Sequence, residues 1–353
     1  MKGNDTATDI LFLSWLEPSY SRSAVILNSH YLRKFNYEFR KVETGFSLPI
    51  SLLSLVWEYR RRKVIYYVCS PCLTISVWLR IFGRKNIYLD AGWPLSDNTL
   101  SKNCKLSNTL KKMRIGIIEN LAFKASNLIF MESKVQAKEV SFNFRMDSEK
   151  LVVGYTGVNE IEFEVDAVQP PELFLIPKNS TKTIVLFRGK INEEAGLEQI
   201  KDAFLYLNNT ILILCSSNLP DNYPDHSNLV KIARTVSFAE MKYLYEICDV
   251  SIGQLGASKR QSRTIPHKAF ESMYFGRAYL SLNQNALSEL FCEDNSALLF
   301  SNFKELLSEV QDCLNQRQKL RQIGLNAKRI YFENFSQERL SQNRIETIIK
   351  ASQ

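Results

Sequence analysis

A proline, a histidine, a lysine and a glutamate are crowded together in Ile265-Pro266-His267-Lys268-Ala269-Phe270-Glu271. Proline suits the first position of a helix, where its missing N–H would be unpaired anyway. The helix N-terminus behind it turns free N–H groups and positive potential toward an anion, and Lys268 adds a full charge in the same turn. One turn on, Glu271 can accept two hydroxyl hydrogen bonds from a ribose. Both ribose groups are donors, so a carboxylate serves where an amide would not. The plainer alternative is a dipole partner for the first turn. His267 is the histidine placed to meet a ligand, whereas His30 lies inside an expected helix and His226 in a polar loop. Gly276 permits the turn into the next strand.

Two further groups carry chemistry. Arg188-Gly189-Lys190 closes an apolar strand run and puts two cations and an unhindered backbone at a sheet edge, as a diphosphate requires; the alternative is ordinary surface charge. Asp90 and Trp93, in Leu89-Asp90-Ala91-Gly92-Trp93-Pro94, follow another strand. Asp90 is the candidate carboxylate near a reacting hydroxyl and Trp93 a stacking surface for a sugar, against a turn cap and a packed core ring. In the loop Trp15–Ser23, Arg22 and Ser23 are candidates for touching an acceptor or a donor phosphate. No nucleophilic triad or histidine-rich metal cluster appears. Cys69-Ser-Pro-Cys72 lacks the second pair that a zinc site needs and reads as a buried strand-end pair.

These residues need a scaffold that gathers strand ends. Strands are expected at Asp9–Ser14, Glu38–Val42, Lys63–Cys69, Asn86–Asp90, Asn127–Met131 and Lys150–Tyr155, with helices at Ser23–Lys34, Leu73–Phe82, Ser107–Ser126 and Lys134–Phe142. The Pro-containing run 165–172 reads as a linker. Behind it the alternation restarts: strands Thr183–Phe187, Thr210–Cys215, Asp249–Gly253 and Ala278–Leu282, and helices Leu197–Leu207, Phe238–Ile247, Pro266–Phe275, Phe303–Ile323 and Gln337–Ser352. Strands alternating with helices predict two doubly wound α/β domains in tandem, with a ligand cleft between the carboxyl ends of their sheets.

The 353 residues carry a net charge of +8, unevenly spread. Residues 1–150 hold 23 Lys and Arg against 13 Asp and Glu, and residues 151–353 hold 22 against 24. The first part therefore faces an anion. A lipid surface or a diphosphate-linked acceptor is expected, through Arg60-Arg61-Arg62-Lys63 and the amphipathic segment holding Lys102, Lys105, Lys111, Lys112 and Arg114. A nucleic acid is not expected, since no common nucleic-acid-binding motif is present. The longest mostly apolar stretch, Phe46 to Trp57, is too short to span a bilayer. A polar, acidic N-terminus and scattered cysteines lead to the expectation of a cytoplasmic protein.

The order and spacing of Arg188-Gly189-Lys190, Cys248-Asp249-Val-Ser-Ile-Gly253, Ile265-Pro-His-Lys-Ala-Phe-Glu-Ser-Met-Tyr-Phe-Gly-Arg-Ala278 and Ser288-Glu-Leu-Phe291 resemble the C-terminal half of GT-B glycosyltransferases of the large retaining family 4 type. Tyr155-Thr-Gly-Val-Asn-Glu160 is similar to the turn that ends their N-terminal domain. The resemblance covers most of the chain from about residue 150; the earlier part matches in its element order.

It implies two Rossmann-like domains, 1–165 for the acceptor and 166–335 for the nucleotide sugar, with a helix 336–353 crossing back to the first. It also implies sugar transfer from a nucleotide sugar, UDP-linked before GDP-linked, to a lipid-linked or surface-polysaccharide acceptor, with retention and with no metal or other cofactor. Glu271 would hold the ribose. Arg188, Gly189, Lys190, His267 and Lys268 would complete the donor site, Asp90, Lys190 and Glu271 the catalytic set, and Arg22, Ser23 and Trp93 the acceptor side. The chain departs from the family where Arg263 replaces a carboxylate eight residues before Glu271, and where Ala195-Gly196 occupies a position that commonly holds a lysine. A catalytically silent partner subunit and a sugar-nucleotide 2-epimerase are the alternatives.

Overall fold

The computed structural model describes residues 9–18, 22–96, 106–174, 181–205, 207, 209–220, 223, 225–256, 258 and 260–353. The chain divides into two units, residues 1–159 with 337–353, and residues 160–336.

In the first unit β1 (Asp9–Ser14), β2 (Tyr37–Lys41), β3 (Val64–Val68), β4 (Ile87–Gly92), β5 (Leu128–Met131) and β6 (Leu151–Val153) form one sheet in the order β2-β1-β3-β4-β5-β6. Every pairing is parallel. Side chains alternate across a strand, so each strand supplies both faces. Leu11, Leu13, Tyr66, Val68 and Leu89 enter one core with α2 (Leu48–Glu58), α3 (Leu73–Ile81), and residues Ala122 and Phe123 of α4 (Leu106–Ala125). Ile10, Phe12, Ile65, Tyr67 and Tyr88 enter the other, with Ile26 of α1 (Arg22–Leu27) and Ile345 and Ile348 of α11 (Gln337–Ser352). A further helix, α5 (Lys134–Phe144), packs on the first of these faces through Ala137 and Val140.

The second unit repeats the plan with β7 (Thr183–Arg188), β8 (Thr210–Cys215), β9 (Leu229–Ile232), β10 (Val250–Ile252), β11 (Ala278–Leu282) and β12 (Leu298–Phe300), ordered β12-β11-β10-β7-β8-β9. All its pairings are parallel too. Its helices are α6 (Leu197–Leu205), α7 (Phe238–Ile247), α8 (His267–Phe275), α9 (Phe303–Asn315) and α10 (Arg317–Asn334). The strand order reverses between β7 and β10, and in the first unit between β1 and β3. In open α/β sheets the crevice beyond the carboxyl ends of such strands is where ligands bind.

Several elements differ from expectation for tertiary reasons. The expected helix Ser23–Lys34 stops at Leu27, and Tyr31–Lys34 is a short 3-10 turn. The backbone N–H groups of His30 and Tyr31 donate instead to Glu338 of α11, at 2.6 and 2.8 Å. The single helix expected over Phe303–Ile323 is two, parted at Gln316, and the second runs on to Asn334. The run 165–172 is not a free linker: Lys242 donates to Val165 O at 2.8 Å, Val168 N to Ala239 O at 3.1 Å, and Glu172 pairs with Arg234. Helix α2 and strands β9 and β12 were not anticipated; the strands have only 4 and 3 residues, too few for a visible alternation.

Candidate functional site

Glu271 lies on α8 with 0% exposure, and the second unit is arranged around it. The helix begins at His267, one residue later than expected, with Pro266 as its N-cap rather than its first residue, and is closed by Gly276, whose left-handed backbone turns the chain into β11. Arg188, the last residue of β7, forms an ion pair with Glu271 Oε2. Tyr245 of α7 donates its hydroxyl to the same oxygen at 2.6 Å. That ring is fixed by stacking on Phe275, 4.9 Å between centroids and 2° between planes. The other oxygen, Oε1, meets His267 Nδ1 alone among the described residues, at 3.3 Å. A carboxylate offers about four lone-pair positions, so Oε1 retains capacity for a hydroxyl donor.

Burial dominates the electrostatics. It pushes the Glu271 carboxyl up to about 8, and the Arg188 guanidinium opposes that by favouring the charged form. Burial, with Arg188 second, brings Lys268 down to about 7 and His267 down to about 3. Lys268 donates to Gly253 O at 3.0 Å and its ammonium lies 4.4 Å from the centre of the Phe187 ring. It thus spans the ends of β10 and β7, the pair at which strand order reverses. Its charge is the kind that an arriving anion restores.

Lys190 follows on the exposed side of the turn after β7. Gly189 has φ of +131°, a conformation that side chains with a Cβ rarely adopt. The remainder of that loop lies against the loop after β10. Leu255 N donates to Ala195 O and Gly256 N to Glu194 O, both at 3.1 Å. A Cβ on Gly196 would sit 2.6 Å from the Leu255 carbonyl carbon, so Gly196 is set by close approach as well as by its φ of +63°. Arg260 grips the Glu194 carboxylate with bonds of 2.8 and 3.0 Å. Arg263, at the position where the family often has a carboxylate, is buried in the same loop.

The first unit gathers a different set. Asp90 is also at 0% exposure, but both its oxygens are taken. Arg22 of α1 donates from Nε to Oδ1 at 2.9 Å, and Arg344 of α11 donates from Nη1 to Oδ2 at 2.9 Å. Tyr67 of β3 donates to Oδ2 at 3.2 Å. Arg22 also reaches Thr156 Oγ1 at 3.2 Å, and Arg344 the Tyr155 carbonyl at 3.0 Å. Burial opposes the Asp90 charge, yet the two guanidiniums outweigh it and hold the carboxyl below its ordinary range. Asp90 therefore presents no open oxygen to a substrate hydroxyl. Ser23 is buried and bonded to Cys69. Trp93 is half-buried just after β4.

Sequence reasoning brought Arg188, His267, Lys268 and Glu271 to one place, and the structure places them within contact of one another or of the same strand ends. It missed Tyr245, Arg344 and the Glu194–Arg260 clasp. Gly253 and Gly256, framing the loop after β10, were the available signal for the close approach of backbones there. Among the described residues no group of three His, Cys, Asp or Glu could hold a metal ion, and no helix is long and apolar enough to cross a membrane.

Residues 194–350 match the family described as glycosyl transferase-like. No curated protein matches the chain. Among solved structures, Anabaena HepE in complex with UDP is similar, with a TM-score of 0.69 and 14% identity over 97% of this chain and 100% of that one. Its complex with UDP-glucose gives 0.68 and 15%, over 97% and 99%. Sucrose-phosphate synthase from Thermosynechococcus elongatus gives 0.68 and 10%, over 97% and 98%. Likeness at such low identity establishes the fold.

Proposed function

We propose that this chain, whose residues 194–350 match the glycosyl transferase-like family, is a GT-B glycosyltransferase that transfers a sugar from a UDP-sugar, with retention of configuration. The observation that carries this reading is the Glu271 carboxylate, buried at the carboxyl edge of the second sheet with Oε1 still able to accept and with Lys268 beside it. The ribose hydroxyls donate to Glu271. Arg188 and Tyr245 orient that carboxylate, and His267 lines it. The complexes of HepE with UDP and with UDP-glucose support a uridine nucleotide over a guanosine one.

Breaking the glycosidic bond leaves negative charge on the departing diphosphate. Lys268, Lys190 and the N-terminus of α8 are the groups of this chain that stabilise it. Lys268 takes up a proton from solvent as the anionic diphosphate of the donor binds, so its cation is in place before the leaving group needs it. No metal enters the scheme. In the first unit Asp90 is assigned the holding of Arg22 and Arg344 rather than proton abstraction; Arg22 and Ser23, both buried, are withdrawn from the acceptor side, and half-buried Trp93 remains its candidate. The basic excess of residues 1–150 supports a lipid-linked or surface-polysaccharide acceptor, as in lipopolysaccharide assembly, met by a cytoplasmic enzyme peripheral to the inner face of the membrane.

Calorimetry with UDP and GDP, followed by a hydrolysis screen of nucleotide sugars, tests this. Saturable UDP binding and slow hydrolysis of one UDP-sugar, both lost in Glu271→Ala, are expected. Absence of nucleotide binding points to a silent partner subunit, and conversion of the sugar without an acceptor to an epimerase.

A further inference from the structure

Helices α2 and α4 each carry two apolar rows where packing on a sheet needs one. The inner rows, Leu48, Leu52, Leu55 and Val56 on α2 with Ala122 and Phe123 on α4, are buried on the same face of the first sheet. The outer rows face solvent. Phe46, Ile50, Leu53 and Trp57 follow one another at intervals of four, three and four, fully exposed at Phe46 and 66% exposed at Trp57. Leu110, Met113, Ile117 and Leu121 repeat the pattern on α4, each at least half exposed. Between the two helices, α3 ends in exposed Ile81.

Cations frame these rows. Arg60 lies 4.3 Å from the Trp57 ring, Arg61 follows it, and Arg114 and Lys124 are exposed on α4. The acids of the two helices are engaged: Glu119, the sole acid of α4, is buried and accepts from Leu95 N and Ser96 N, and Glu58 of α2 is paired with Arg40 at 2.9 Å. Lys102 and Lys105 of the expected basic cluster lie outside the described residues, as do the side chains of Lys111 and Lys112.

We infer that the outer side of the α2–α3–α4 layer is a docking surface for an anionic phospholipid bilayer, its apolar rows entering the acyl boundary and its cations meeting the headgroup phosphates. A second copy of the chain fits poorly, because a two-fold contact through this face gathers the cations Arg60, Arg61, Arg114 and Lys124 of both copies into one interface, with Glu119, the acid of α4, buried away from it. The inference deepens the membrane-peripheral part of the proposed function and rests on it for the nature of the acceptor; the surface itself involves no residue of the nucleotide site.

The test is flotation of the full chain with vesicles of phosphatidylcholine alone and of phosphatidylcholine mixed with phosphatidylglycerol. Binding to the mixed vesicles, weakened by salt, is expected. Arg60→Glu, Arg61→Glu and Arg114→Glu combined should reduce it by about tenfold or more, and Ile50→Ser with Ile117→Ser should reduce it at every salt concentration. Equal binding to both vesicle types, indifference to both sets of substitutions, or a concentration-dependent dimer abolished by Ile117→Ser without vesicle binding would each overturn the inference. UDP calorimetry on the same preparations separates the two ideas: vesicle binding without UDP binding defeats the nucleotide reading alone, and the reverse defeats the docking surface alone.

Discussion

Asp90 in the first unit and Glu271 in the second are both completely buried carboxylates, as Glu119 is too, and the first two are used in opposite ways. Asp90 in the first unit has Arg22 and Arg344 on separate oxygens, with Tyr67 added to one of them. Glu271 in the second has Arg188 and Tyr245 on one oxygen and a long contact to His267 on the other. A buried charge with every lone pair directed at protein is a fastening; one that keeps an oxygen in reserve is equipped to bind. Exposed apolar residues follow the same division. In the first unit Ile50, Leu53 and Trp57 on α2 and Leu110, Met113, Ile117 and Leu121 on α4 form rows on one layer, whereas in the second Leu307 lies on α9 and Leu325 and Phe332 lie seven positions apart on α10.

The largest effect should come from breaking the fastening. Asp90→Asn leaves two guanidiniums buried without their counter-charge and should destabilise the protein by about 3–5 kcal/mol in denaturant titration, with UDP binding by the folded protein unchanged. The pH dependence has a definite sign. The Asp90 carboxyl is held below its ordinary value, so its contribution is fully present above the unfolded pKa near 4 and is lost as pH falls through the folded value. The Asn variant should lack that acid limb.

Glu271→Ala reverses the pattern, with folding kept and UDP affinity lowered roughly ten- to hundredfold by calorimetry, the range for hydrogen bonds to a charged group. A smaller effect follows from Lys268. Its pKa near 7 in the free protein rises when a diphosphate binds, so binding takes up a proton and UDP affinity should fall as pH climbs from about 7 to about 9. Lys268→Met should bind weakly and lose the fall that Lys268 supplies, leaving the opposite trend as the Glu271 carboxylate forms near 8, and a wild-type slope retained in Lys268→Met would place the proton elsewhere. Smallest is Tyr245→Phe, which removes one 2.6 Å donor from Glu271 and should cost about 1 kcal/mol in UDP binding. A loss as large as that of Glu271→Ala would mean that the tyrosine holds the carboxylate in place.

Most of the candidate nucleotide site was legible because its residues are local. Lys268 and Glu271 are one helical turn apart, and Arg188 ends a strand whose apolar run is plain in the chain. Tyr245 had no such mark: on α7 it reads as one aromatic among several, and only the packing of α7 beside α8 brings its hydroxyl to Glu271. Asp90 was placed correctly at the end of its strand, but the side to which it points and what meets it there were not visible. Helix α2 was noticed as an apolar stretch and not as a helix, because two apolar rows around one axis erase the single-stripe periodicity that identifies an amphipathic helix.

By itself, then, the sequence determined the two α/β repeats, the uneven charge and the spacing around Glu271, since alternation, helical period and turn chemistry act between neighbours in the chain. The tertiary structure alone decided that Asp90 is fastened by Arg344, 254 positions away, and that the apolar rows of α2 and α4 share one side of a sheet. Pairings at that separation leave no local pattern. They arise when packing selects which charges lose water together and which hydrophobic rows are left facing it.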